Sequence, residues 1–243
     1  MPALRKVIFQ VRYRPRLEFY DLLMSAAGQL AEYPHWQTNG LSVTLKDFAK
    51  RCSASISHNS FSYEQDSDDA ALAGEGIERV LGVLPAALHL DVAERWGYRC
   101  QYLTPVALSF QALVSVMHVK LFSQDERLRR IMPQVSDLMY RIDASEDPYG
   151  YHLTLGPVRK AEIPVYLAFN QAQHLDPKTA QEDYRAVVES YPDVAVFADL
   201  DVYQESSELS LGDARSFVAT ARANVERLLG DLNTYLFMTA AEV

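Results

Sequence analysis

An antiparallel-rich α+β fold, with helices packed on one face of the sheet and a long helix closing the chain, is predicted by three observations. Residues 193–203 alternate almost cleanly between two faces, residues 213–239 repeat apolar side chains at steps of four and three, and the intervening helices separate groups of strands. The order suggests two successive strand-and-helix halves, residues 1–95 and 96–243, that could equally form one continuous domain.

Taken in order, residues 4–13 read as a strand, with Val7, Phe9 and Val11 alternating against Lys6, Gln10 and Arg12. Pro15 opens a helix whose stripe is Phe19, Leu22, Leu23, Ala26, Ala27 and Leu30, stopped at Tyr33-Pro34. Residues 41–45 and 52–64 read as strands, the second with Ser53, Ser55, Ser57 and Asn59 on a wet face. A polar break at 66–69 leads into a helix carrying Leu72, Ile77, Val80, Leu81 and Leu84, ended by Pro85.

Residues 98–108 follow as a strand, and 113–122 as another, since Val114, Val116 and Val119 favour extension. Ser123-Gln124-Asp125-Glu126 has the form of a capping box, in front of a helical face of Leu128, Ile131, Met132, Val135, Leu138, Met139 and Ile142, kinked at Pro133. Residues 149–158 and 163–169 are further strands, and 177–191 a short helix.

In the strand at 193–203, Val194, Val196, Ala198, Leu200 and Val202 form one face, and Ala195, Phe197, Asp199, Asp201 and Tyr203 the other. After a polar stretch at 205–210, Ser210 caps a helix running to about Thr239, its stripe being Ala214, Val218, Ala221, Val225, Leu228, Leu232 and Tyr235, widened by Phe217, Leu229 and Leu236. About thirty helical residues span roughly 45 Å, more than one sheet needs for cover. Its far end, with Leu228, Leu232, Tyr235 and Leu236, is therefore the candidate surface for a protein partner or a second copy of the chain.

Composition narrows the function classes. The chain has 243 residues, 49% of them apolar, with 23 basic against 32 acidic residues and a formal net charge of −9, which argues against a general nucleic-acid coat. The basic group Arg5, Lys6, Arg12, Arg14 and Arg16 reads as a solvated rim. Cys52 and Cys100 stand in no metal-binding or disulfide pattern and are expected as buried thiols. With no secretory signal pattern and no long apolar run, the expectation is a cytoplasmic protein with no membrane partner and no cofactor. Fourteen tyrosines supply material for protein contacts.

Two patterns carry possible chemistry. His58-Asn59-Ser60 and His152-Leu153-Thr154 are both H-x-[S/T] tripeptides, and on strands each histidine shares a face with its hydroxyl. Should the two strands converge, His58, Ser60, His152 and Thr154 could act on a phosphodiester, one imidazole as base, the other as acid, the hydroxyls holding phosphate oxygens. This resembles the two-histidine phosphoesterase arrangement, and Tyr151-His152-Leu153-Thr154-Leu155 fits its apolar-flanked form. Separately, Asp199 and Asp201 have Cα atoms roughly 6.5 to 7 Å apart on one strand face, within reach of one hard divalent cation. That pair would suit a cation-dependent phosphoesterase only with further oxygen ligands.

The strand at Val7 to Arg14, the run Phe197-Ala198-Asp199-Leu200-Asp201-Val202-Tyr203, and the helix end Leu232-Asn233-Thr234-Tyr235-Leu236-Phe237-Met238-Thr239 together resemble a sporadically distributed family of bacterial proteins. Its members look like a strand ending in D-x-D-V followed by a long helix closing near an aromatic residue and a threonine. The resemblance implies a fold rather than an activity. With no catalytic constellation complete, the expectation is a soluble, non-catalytic protein-binding or assembly component, an accessory subunit of a multi-protein system. The two phosphoesterase readings are its rivals.

Overall fold

The computed structural model describes residues 3–66, 70–122, 135–167, 176 and 178–237. Among these residues nine strands form one antiparallel sheet: β1 (Ala3–Arg12), β2 (His35–Thr38), β3 (Ser42–Asp47), β4 (Cys52–Ser57), β5 (Ser60–Gln65), β6 (Val92–Pro105), β7 (Tyr140–Glu146), β8 (Tyr149–Arg159) and β9 (Val194–Ser210), in the spatial order β2-β3-β4-β5-β1-β6-β9-β8-β7. Among the described residues six α-helices join them: α1 (Phe19–Gly28), α2 (Ala70–Ala87), α3 (Phe110–Met117), α4 (Ile163–Tyr166), α5 (Ala180–Glu189) and α6 (Ala214–Phe237). The fold is α+β, as predicted. Residues 95 and 96 lie next to each other inside β6, which pairs with β1 on one side and β9 on the other.

The sheet's two faces differ. On one, Val7, Phe9 and Val11 of β1, Cys100 of β6 and Ala198, Leu200 and Val202 of β9 join the buried faces of α1, α2 and α6 in the main core. Ala214, Phe217, Ala221, Val225, Leu229 and Leu236 are the α6 side chains that enter it. Among the described residues, the opposite face is covered only at one end, where Leu103, Val158, Ala195 and Phe197 meet Ile163 and Leu167 beside α4 and Tyr191 beyond α5. The rest of that face is mostly polar among the described residues. Strand alternation explains the division: Phe197, Asp199, Asp201 and Tyr203 point away from the core that Ala198, Leu200 and Val202 fill.

Several elements depart from expectation. The stretch at 52–64 is a hairpin, because buried Cys52, Ala54 and Ile56 occupy even positions whereas buried Phe61 and Tyr63 occupy odd ones, and the parity slips at the His58-Asn59 turn. Residues 113–122 are helical: Ser109 Oγ accepts from the Ala112 amide, and Phe110, Leu113, Val114 and Met117 face inward at helical spacing before a π-helical turn at His118–Phe122. Burial of that stripe overrides the extended preference of its valines. Ile163 starts a helix rather than a strand, with Pro164 in its first turn, where a missing amide costs nothing.

Pro85 does not end α2, which runs through it to Ala87. Of the helix expected behind the capping box at Ser123, residues 123–134 lie outside the described residues, Val135, Leu138 and Met139 are not helical, and Ile142 sits in strand β7. The polar run at 205–210 still pairs with β6, across a bulge where Arg95 faces Glu205 and Ala93 faces Leu209. Ser210 makes no side-chain cap; a 3-10 turn at Leu211–Asp213 leads into α6. The helix is described to Phe237, so the end expected near Thr239 lies outside the described residues. Strand β2, which the sequence reading missed, is a fully exposed edge. Among the described residues no helix is long and apolar enough to cross a membrane.

Candidate functional site

Two surfaces concentrate the residues that the sequence singled out. On the polar face, β6, β9, β8 and β7 lie side by side, and their register sets Arg99, Asp201, His152 and Asp143 in one row, with Gln101, Asp199, Thr154 and Arg141 in the next. Arg99, Arg141, His152, Thr154, Asp199 and Asp201 line a concavity of about 240 Å³. His152, Thr154, Asp199 and Asp201 are thus brought together.

Their hydrogen-bonding capacity is largely spent within the sheet. Arg99 grips Asp199 bidentately, Nε donating to Oδ1 at 2.7 Å and Nη2 to Oδ2 at 2.5 Å, and Gln101 Nε2 donates to the same Oδ2 at 3.0 Å. Arg95 Nη2 donates to Asp201 Oδ2 at 3.0 Å, and Arg95 Nε stands 3.0 Å from a Glu205 carboxylate oxygen. Burial pushes the Asp201 carboxyl above the usual carboxylate range, the neighbouring Arg95, Arg99 and His152 offsetting part of the effect. His152 is held by Nδ1 against Asp143 Oδ1 at 2.6 Å and stacks on the Tyr203 ring at 4.7 Å. The Arg95 guanidinium also lies 4.7 Å from that ring. Gly150 stands opposite Tyr203, and its missing side chain leaves the space that the ring fills.

The paired-histidine arrangement does not form. His58 lies in the turn between β4 and β5, whereas His152 is in β8, and the order β5-β1-β6-β9-β8 puts four strand spacings, roughly 19 Å, between those strands. No single phosphodiester bridges that span. Ser60 is tied into its own hairpin, its hydroxyl 2.9 Å from that of Ser57. Asp199 and Asp201 share a face as predicted, but each is engaged by its own arginine. Among the described residues no group of three or more His, Cys, Asp or Glu side chains is placed to hold a metal ion. The basic group at the amino end also divides, Lys6 being buried with Glu64 and Asp66 at 3.9 and 3.4 Å.

The second surface lies on the helical side, at the sheet edge formed by β7. Ile142, Tyr151 and Leu153 from β7 and β8, with Leu228 and Leu232 from α6, line a groove of about 350 Å³. Leu228 and Leu232 are half-buried, and Ile142 is 46% exposed. Asn224 Nδ2 donates to Tyr151 Oη at 3.2 Å, which fixes one wall. The other two residues expected at a partner surface behave differently. Leu236 is buried in the chain's own core, and the half-exposed Tyr235 donates its hydroxyl to the Lys120 carbonyl at 2.7 Å while Lys120 Nζ donates to the Tyr235 carbonyl at 2.9 Å.

The tyrosines do not make one free face. Tyr13, Tyr63 and Tyr98 are buried, and Tyr102, Tyr149 and Tyr151 pack against the main core. The sequence reading missed the contribution of Ile142 to the groove, having placed it on a helix. The signal available was alternation in Tyr140-Arg141-Ile142-Asp143-Ala144, where the apolar positions share one face. Compared with known proteins, the chain matches no family model and no curated protein.

Proposed function

We propose that the chain is a non-catalytic protein-binding component, an accessory subunit that receives an extended segment of another polypeptide along the edge of β7. The carrying observation is the coincidence of that edge with the groove beneath α6. Strand β7 is last in the sheet, and among the described residues no strand pairs with its outer side. An added strand would find hydrogen-bonding backbone there, and its alternate side chains would fall beside Ile142, Leu228 and Leu232. Burying one large apolar side chain in such a groove is worth about 1.5 to 3 kcal/mol, enough for a few contacts to carry a specific interaction. The polar face argues the same way from the opposite side, because Asp199 and Asp201 are each engaged by an arginine within the chain.

The test is site-specific photo-crosslinking in the native host, with the reactive residue placed at Ala144, which lines the groove, and at Ser55 on the polar face as control. The expected result is one discrete adduct from Ala144 that disappears in the Leu228→Asp background, and none from Ser55. No discrete adduct from Ala144, or one indifferent to Leu228→Asp, overturns the reading.

A further inference from the structure

We infer that the chain seated on β7 is a second copy of this protein, joined to the first by antiparallel pairing of the two β7 strands about a two-fold axis at Ile142. The inference rests on the protein-binding reading and names its partner. Within the sheet, Arg141 and Asp143 lie opposite Thr154 and His152 on the polar face, whereas Tyr140, Ile142 and Ala144 lie opposite Leu155, Leu153 and Tyr151 on the helical face. Two-fold pairing that keeps both helical layers on one side of a joined sheet must be centred on a residue, since directly opposed residues point the same way.

That restriction leaves few registers, and charge selects among them. Centred on Ile142, the pairing sets Arg141 of each copy opposite Asp143 of the other, twice over, with Ile142 against Ile142 and Tyr140 against Ala144 on the helical side. Centred on Asp143 it opposes two carboxylates, and centred on Arg141 two guanidinium groups, both unfavourable for directly facing residues. Centred on Ala144 it sets Ile142 against Glu146.

Side-chain exposure fits the Ile142 register. Arg141 is exposed and has no ion-pair partner among the described residues. Asp143 spends only Oδ1 on His152, and its side chain is 63% exposed. Ile142, 46% exposed, stands between them on the other face. The pairing brings Ile142 of the second copy to the mouth of the groove floored by Leu153 and walled by Leu228 and Leu232. Edge strands in monomers are protected by charge; here the charges are of both signs and spaced to satisfy a copy of themselves.

The experiment is sedimentation of the full chain over a concentration series, with Arg141→Asp and Asp143→Arg made separately. Wild type is expected to dimerise. Each single variant opposes like charges at both pairs, and its dimer is expected to weaken about tenfold or more. An equimolar mixture of the two restores both opposite-charge pairs and is expected to form a heterodimer where neither variant alone self-associates. This mixing result also shows that both variants are folded. A wild-type monomer at all concentrations overturns the inference, as does a dimer indifferent to either substitution or a mixture that stays monomeric. If the wild type is monomeric while Ala144 still crosslinks to a chain of different mass, the second copy is refuted and the protein-binding reading stands. If both measurements are negative, both fail.

Discussion

Replacing Arg99 by methionine leaves Asp199 with one of its three side-chain donors, and the structure sets how much this should cost. The Asp199 side chain is 9% exposed and the Arg99 side chain 42%. Removing one partner from a fully buried pair costs about 3 to 5 kcal/mol, because the remaining charge is stranded away from water. A fully exposed pair contributes about 0 to 1 kcal/mol. Since Arg99 is more than a third exposed, solvent screening discounts the upper figure, and Gln101 still donates to Oδ2. We therefore expect Arg99→Met to lose about 2 kcal/mol of stability. Asp199→Asn should cost less, about 0.5 to 1 kcal/mol, because the charge left behind belongs to the better-solvated partner.

This asymmetry is the diagnostic result. Urea denaturation followed by circular dichroism, on wild type, both single variants and the double variant, gives the cycle. The double variant is expected near 1 kcal/mol, less than the sum of the singles, since it removes the stranded charge and its partner together (~1 kcal/mol). Equal losses from the two single changes, or a loss below about 0.5 kcal/mol for Arg99→Met, would refute the claim that Asp199 is the buried member of a committed pair.

Three further outcomes follow from the same geometry. In Gly150→Ala, the new Cβ would stand 2.2 Å from Tyr203 Cζ, so the ring must leave its place beside His152; overpacking of this kind costs about 1 to 3 kcal/mol, visible as a lower urea midpoint and recovered in part by Tyr203→Ala in the same chain. For Asp201, a carboxyl raised above its unfolded value means that the folded state holds the proton longer, so its contribution is present below the unfolded value and lost as pH rises through the folded one. Wild type should accordingly lose stability relative to Asp201→Asn across the pH interval just above the normal carboxylate range, and a difference independent of pH there would refute the sign. Along α6, Leu229→Ala should lose about 2 to 4 kcal/mol, whereas Leu228→Asp should cost about 1 kcal/mol or less while abolishing the Ala144 adduct.

The fold was legible wherever one face of an element is buried along its whole length. Strand β1 alternates from Val7 to Arg12 and β9 from Leu200 to Tyr203, beyond a run buried on both faces, because core lies under every second residue there, and α1 and α6 show their stripes for the same reason at helical period. Legibility failed where a local preference and tertiary burial disagree. Val114, Val116 and Val119 prefer extension, yet Leu113, Val114 and Met117 bury a helical face. In 52–64 the alternation itself held the answer, since its parity changes across His58-Asn59; read as one strand, it placed His58 on a sheet face where it does not lie. Pairing across the sheet was not legible at all. The joining of Asp199 to Arg99 and of His152 to Asp143 depends on strand order and register, which no local pattern contains.

The apolar stripe of α6 shows why the candidate surface was only half readable. Positions spaced by three and four identify a face, but a helix turns about 100° per residue, so Leu228 and Leu229 point to different neighbours. Phe217, Ala221, Val225, Leu229 and Leu236 look down onto the sheet and are buried. Leu228 and Leu232, rotated toward β7, overhang the place where the sheet stops, and their exposure is set by the absence of a tenth strand among the described residues rather than by anything in the helix. The helix supplies a stripe wider than the strands beneath it cover. A tenth strand on β7 would complete the layer, and a second copy of β7 supplies one whose charges match the first. On this argument the surplus stripe and the alternating charges of Arg141 and Asp143 are two halves of one device, so Leu228→Asp should weaken the same dimer that the charge exchange weakens. Sedimentation of Leu228→Asp checks this directly: a dimer unchanged from wild type would separate the groove from the edge and leave the stripe without its explanation.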